Sequence, residues 1–137
     1  MTEMNPEVKA RWLAALTSGE YTQGRDLLAR EVAPGVFRYC CLGVLCELAY
    51  ADGVIARTLD FDRYYYHDVG VDRGITPAKC YATQLPPTVV TWAGLPNGNP
   101  IVASVDLATH NDGSVTVGAE HSRRSFAEIA ELIRRHL

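Results

Sequence analysis

The chain has 137 residues, 47% of them apolar, and a formal net charge of −3 from 13 basic and 16 acidic side chains. That is the size of one ordinary domain with enough apolar material for its own core, and residues 1–137 are read as a single globular unit. The charge balance excludes general coating of DNA or RNA. No apolar run reaches the ~20 residues of a membrane span, and "MTEMNPEVKARW" has no apolar leader, so a cytoplasmic protein is expected.

The first element opens at Asn5, a capping residue, with Pro6 at the first helical position and Glu7 favourable to the helix dipole. Val8, Trp12, Leu13 and Leu16 then form an apolar stripe, so a helix is predicted over 6–17, with Trp12 in the core and Ser18-Gly19 ending it. Leu27 to Val32 and Val36 to Tyr39 flank Ala33-Pro34-Gly35, a hairpin signal, although Leu27-Leu28-Ala29 also fits a helical turn. The segment 41–51, "CLGVLCELAYA", carries one charge, Glu47. It reads as a central helix apolar on nearly every face, with Gly43 allowing a close backbone approach.

Residues 54–84 are less regular, and "DFDRYYYHD" reads as a loop or an edge strand. Pro86-Pro87 starts a short helix stopped by Gly94, and Ile101 to Val105 reads as a strand. Asn111-Asp112-Gly113 reads as a turn, with Val115 and Val117 alternating in a short strand after it. Ser125 with Glu128 makes a capping box for a last helix whose apolar face is Phe126, Ile129, Ala130, Ile133 and Leu137. The sum is an α+β domain: a small sheet around a buried central helix, with amphipathic helices at both ends and three or four helices in all.

Chemistry is sought first in "FRYCCLGVLCELAYADG", which holds three of the four cysteines. Cys41 and Cys46 have a C-x4-C gap, but zinc would need a second pair, and Cys80 stands alone. A disulfide between the neighbours Cys40 and Cys41 would be strained. A thiol at a helix N-terminus is activated by the dipole, so Cys40 or Cys41 is a candidate nucleophile, with Gln23 as an oxyanion donor and His67, His110 or His121 as base. Asn111 could orient that base. Papain-like enzymes share this residue order but not the motif around the nucleophile. Among Leu, Val and Gly, buried packing is the favoured role of these thiols, with Cys40 the most exposed.

Arg63 with Tyr64, Tyr65 and Tyr66 could instead serve a nucleotide: tyrosine faces stack on a base, and arginine forks onto phosphate. The alternative is a sheet surface carrying tyrosine rings. "HSRR", His121 to Arg124, precedes the capped helix, where free N–H groups can meet an anion. A solvated loop explains it equally well. The chain has no Walker loop, no dinucleotide fingerprint and no H-E-x-x-H motif, and no cofactor or metal is expected.

The blocks "RWLAALTSGEYTQGR", "CCLGVLCELA", "LPPTVVTWAGL" with "NP", "LATHNDG" and "SFAEIAELI" resemble a family of small proteins of tailed bacteriophages and prophages. The resemblance spans most of the chain and departs at "SVTVGAEHSRR", where the family has a shorter link. It implies an accessory protein acting inside a bacterial host against its defences. One such strategy is to sequester a nucleotide-derived immune signal, a cyclic dinucleotide or an ADP-ribose type, in a homo-oligomer. On that reading Tyr64, Tyr65 or Tyr66 stacks on the base. Arg63, Arg123 or Arg124 meets phosphate, and Gln23 and Asn111 read sugar or base edges. The rival expectations are a hydrolase of the same signal, thiol-dependent through Cys40 or Cys41 with His110 or metal-free, and an inhibitor that binds a host protein.

Overall fold

A computed structural model describes residues 3–116, 119–121 and 123–137, and the side chains of 114–122 are outside that description. Helix α1 spans Pro6–Thr17, and Asn5 Oδ1 accepts from the N–H groups of Glu7 and Val8 at its start. Strands β1 (Ala29–Ala33) and β2 (Val36–Tyr39) form the expected hairpin, followed by α2 (Cys41–Ala51). Strands β3 (Ala56–Asp60) and β4 (Arg63–His67) form a second hairpin, and α3 (Pro87–Ala93) follows a short 3-10 turn at Pro77–Lys79. The last third holds β5 (Ile101–Val102), β6 (Val105–Asp106), α4 (Leu107–Asp112), β7 (Ser114–Thr116), β8 (Ala119–His121) and α5 (Phe126–His136). The class is α+β, as expected, with five helices among the described residues.

The main sheet is antiparallel with strand order β2-β1-β4-β3; β5-β6 and β7-β8 form two small hairpins. Its two faces differ in chemistry. Tyr66 is buried on the face covered by α2, and its hydroxyl donates to Glu47 Oε2 at 2.7 Å. On the same face Tyr64 stacks on Phe37, with centroids 4.7 Å apart and planes 12° apart. Arg57 lies between the rings of Tyr50 and Tyr64 and pairs with Glu47. The sole charge of the central helix is thus matched by one cation and one hydroxyl, as a poorly hydrated carboxylate requires.

Helix α2 lies close to β1 because Gly43 has no side chain: a Cβ there would sit 1.7 Å from the carbonyl oxygen of Leu28. Helices α1 and α5 pack together beside α2. Trp12 of α1 is fully buried, and its Nε1 donates to Cys41 O of α2 at 3.0 Å. Lys9 Nζ closes the end of α5 by donating to Arg134 O and Leu137 O. No helix of the described residues is long and apolar enough to cross a membrane.

Three expectations are corrected. "RYYYH" is an interior strand, not a loop or an edge, because β4 pairs with β3 along its length and with β1 at Arg30 opposite Arg63. The stretch Ile101 to Val105 is not one strand. It folds into a tight hairpin through Ala103 and Ser104, both at positive φ, in the conformation that two-residue hairpin turns require. Asn111 and Asp112 belong to α4, not to a free turn, because Asp106 caps that helix from its other end: its carboxylate accepts from Thr109 N at 2.8 Å. Val117, expected in a short strand, lies outside the described residues.

Candidate functional site

Directly paired residues on neighbouring strands share one face of a sheet. Arg38 on β2 is opposite Arg30 on β1, Arg30 is opposite Arg63 on β4, and Arg63 is opposite Asp60 on β3. Three arginines therefore stand in a row across three adjacent strands, on the face away from α2. Like charges placed opposite one another destabilise a sheet. Asp62, in the turn between β3 and β4, relieves part of the repulsion: Arg63 Nε donates to its Oδ1 at 3.0 Å, and Arg30 Nε is 3.6 Å from its Oδ2. The hydrogen bond from Arg63 holds the Asp62 carboxyl below the usual aspartate range. Arg30 Nε itself is buried without a hydrogen-bond partner among the described residues.

The row leads into a cavity of about 320 Å³ lined by Gln23, Gly24, Arg25, Arg30, Val32, Arg38 and Arg123. Arg30 and Arg38 come from the β1–β2 hairpin, Arg25 from the segment before it and Arg123 from the segment before α5, and among the described residues no carboxylate lines it. Arg25 and Arg38 are exposed, and neither side chain has a hydrogen bond or ion pair among the described residues. Arg123 is oriented by neutral acceptors, donating from Nε to Asn111 O and from Nη2 to Gly24 O, both at 3.1 Å. Among the described residues it has no acidic partner, and its other N–H groups make no hydrogen bond. Gly24 lets the segment run against β2: a Cβ there would lie 2.9 Å from Arg38 Cβ, and Gly24 N donates to Tyr39 O at 2.7 Å.

Gln23 and Asn111, far apart in sequence, meet behind this cavity. Gln23 Nε2 donates to Asn111 Oδ1 at 3.0 Å and to Arg124 O at 2.8 Å, while Gln23 Oε1 accepts from Phe126 N. Asn111 is fully buried; its Oδ1 also accepts from Cys41 N, and its Nδ2 donates to Gly24 O and Asp112 Oδ1. These two amides tie the Gly24 segment to the starts of α2 and α5, and the Asn111 carbonyl accepts from Arg123. Gln23 does touch the cavity as a lining residue.

The other candidate residues are spread out. Arg63 stands beside Arg30 in the row, paired with Asp62. Tyr64 has one ring face on Phe37 and the Arg57 guanidinium 4.2 Å from its centroid. Tyr66 is buried on Glu47. Tyr65, on the arginine face, lies beneath Arg73 at 3.4 Å. A larger hollow of about 790 Å³ opens between β3 and Gly70–Gly74, but its cation, Arg73, is bound to Asp60 and covers Tyr65. The cavity with unengaged charge is the better ligand candidate. Arg124 makes a 3.7 Å pair with Glu128 and lies away from the cavity lining. The side chains of His121 and Ser122 lie outside the described residues. The N–H groups of Phe126 and Glu128 at the start of α5 are taken by Gln23 and by the Ser125 capping box.

The cysteines pack. Cys40 caps α2, with Sγ accepting from Gly43 N at 3.4 Å, and Cys41 Sγ donates to Leu107 O. Both are buried, so the expectation that Cys40 is the most exposed is corrected: Cys80, half-buried, holds that place. Burial pushes the Cys40 thiol up to about 12 and drives those of Cys41 and Cys46 well above the ordinary value. The helix dipole is outweighed by desolvation at this buried N-terminus. His110 is also buried, its Nε2 donating to Val102 O at 2.9 Å, and His67 Nε2 lies 2.8 Å from Thr58 Oγ1. Gln23, Cys41 and Asn111 do come together, but through the Cys41 backbone N–H and not its thiol. Among the described residues no group of three or more His, Cys, Asp or Glu side chains is placed to hold a metal ion.

Sequence reasoning missed Arg25, Arg30 and Arg38. The signal for two of them was present, since a hairpin centred on Pro34 sets Arg30 opposite Arg38. The fold and site define an α+β domain whose sheet presents an arginine-lined cavity on one face. The chain belongs to the family described as a domain of unknown function, DUF8296, whose model matches residues 4–137. No curated protein and no solved structure matches it.

Proposed function

We propose that this protein is a binding module that captures a small nucleotide-derived anion and does no chemistry on it. The supporting observation is the 320 Å³ cavity, where Arg25, Arg30, Arg38 and Arg123 converge without a lining carboxylate among the described residues. Arginine forks match phosphate oxygens bidentately, and the sheet tolerates like charges in a row that an anion would neutralise. The resemblance to phage proteins supports a setting in the cytoplasm of an infected bacterium and a role against host defence, with a homo-oligomer completing the ligand's enclosure. A thiol-dependent hydrolase is disfavoured by the burial of Cys40 and Cys41, which pushes both thiols up and away from the reactive thiolate.

The test mixes purified protein with a panel of immune nucleotide signals, chromatographs the filtrate, then heat-denatures the retained protein and chromatographs what it releases. A signal that disappears and returns intact supports capture. One that returns altered replaces capture with catalysis. If every signal stays in the filtrate, the capture reading fails and a protein partner takes its place; Phe61, 92% exposed at the β3–β4 tip, favours that second reading. Native alkylation is a further check. Cys80 is expected to react well before the other three thiols, and fast labelling of Cys40 or Cys41 would restore the thiol enzyme.

A further inference from the structure

We infer that the arginine cavity selects ligands carrying two adjacent phosphoryl charges, as in a pyrophosphate ester of a nucleoside, over ligands whose phosphates are isolated diesters. The inference rests on the capture reading and narrows its ligand class. Size is the first ground. At about 320 Å³ the cavity is at the lower end of ligand pockets, which span roughly 300–1,000 Å³. It suits the compact charged part of a nucleotide and leaves the nucleoside outside.

Charge is the second ground. Arg25, Arg38 and Arg123 have no acidic partner among the described residues, and Arg30 shares Asp62 with Arg63 at a loose 3.6 Å. A single phosphodiester brings one negative charge and leaves most of this surplus uncompensated. Two linked phosphoryl groups bring at least two charges into the same space. Placement is the third ground. Arg30 and Arg38 rise from paired strands, Arg123 reaches across from the segment before α5, and Arg25 follows Gly24. Two forks rise side by side from one sheet face and two come from other segments, an arrangement that grips a bridged pair of phosphoryl groups better than one tetrahedron. Arg30 Nε is buried and, among the described residues, has only the long pair with Asp62 and no hydrogen bond. Asp62 acts as the internal anion against which a ligand competes for Arg30 and Arg63.

The test is calorimetric titration of the full chain, at one fixed salt concentration, with inorganic pyrophosphate, inorganic orthophosphate, ADP-ribose and cyclic di-GMP. Pyrophosphate and ADP-ribose are expected to bind at least tenfold more tightly than orthophosphate and cyclic di-GMP. Arg38→Ala and Arg25→Ala are each expected to weaken pyrophosphate binding about tenfold, and Asp62→Asn to strengthen it several-fold. Cyclic di-GMP binding as tightly as ADP-ribose, with the same sensitivity to Arg38→Ala, would overturn the selectivity and leave capture standing. Pyrophosphate binding that ignores Arg38→Ala, Arg25→Ala and Asp62→Asn would overturn the assignment to this cavity. If none of the four probes binds, both the inference and the capture reading fall.

Discussion

Glu47 and Arg38 lie on opposite sides of one sheet, and the protein treats their charges in opposite ways. On the α2 side a single carboxylate is surrounded: Arg57 pairs with it, Tyr66 donates to it, and Tyr50 and Tyr64 close over the guanidinium. On the other side three arginines stand opposite one another, and a single aspartate from a turn relieves two of them. The first arrangement is what folding stability requires of a poorly hydrated charge. The second works against stability, and such local conflicts concentrate where a protein binds something. The comparison therefore separates a face whose charge is matched within the fold from a face whose charges are largely unmatched among the described residues, the face on which the proposed anion would sit.

Substitutions on the two faces should differ in kind as well as in size. The largest effect is expected from Gly43→Ala, where the new methyl would overlap the Leu28 carbonyl and force α2 off β1. A loss of about 3 kcal/mol or more in denaturant unfolding is expected; a loss below half of that would mean the helix and strand can separate cheaply. Next is Glu47→Ala, which leaves the Tyr66 hydroxyl and the Arg57 guanidinium without their acceptor. It should cost about 2 kcal/mol in the same measurement.

On the arginine face the sign changes. Arg38→Ala removes no side-chain hydrogen bond or ion pair to a described residue and relieves repulsion with Arg30, so unfolding free energy should stay within about 0.5 kcal/mol of the parent or rise. A loss of the size expected for Glu47→Ala would erase the distinction between the faces. The smallest effect concerns acid. Asp62 has a lowered carboxyl pKa because Arg63 donates to it and Arg63 and Arg30 are charged beside it. A depressed folded-state value means its contribution is complete above the ordinary aspartate value. That contribution is lost as pH falls through the lowered one. Asp62→Asn should flatten that part of the acid-unfolding profile, and an unchanged profile would show that Asp62 does not hold the arginines.

What was legible in the sequence follows the range of the interactions. The bounds of α1, α2, α3 and α5 came through because Asn5, Pro6, Gly94 and the Ser125–Glu128 box are local signals. The β1–β2 hairpin did too, centred on Pro34. The interior place of β4 did not, since its pairing of Arg63 with Arg30 joins distant segments. Asn111 was misread because Asn-Asp-Gly is a strong turn signal when the Asp106 cap upstream is overlooked. Among the candidates, Gln23 stood out as a polar residue outside the core and Arg123 through its place before the capped last helix, and both line the cavity. Arg25, Arg30 and Arg38 were passed over because a modest net charge of −3 conceals a local concentration of cations.

The most direct test of the two-face account is the thermal melting of Arg38→Ala beside the parent protein, each with and without inorganic pyrophosphate. Pyrophosphate should raise the midpoint of the parent by mass action. Without pyrophosphate the variant should melt at or above the parent's midpoint, and the upward shift should be largely lost. A variant that melts well below the parent, yet is still stabilised by pyrophosphate to the same degree, would contradict the account: Arg38 would then serve the fold and not the ligand.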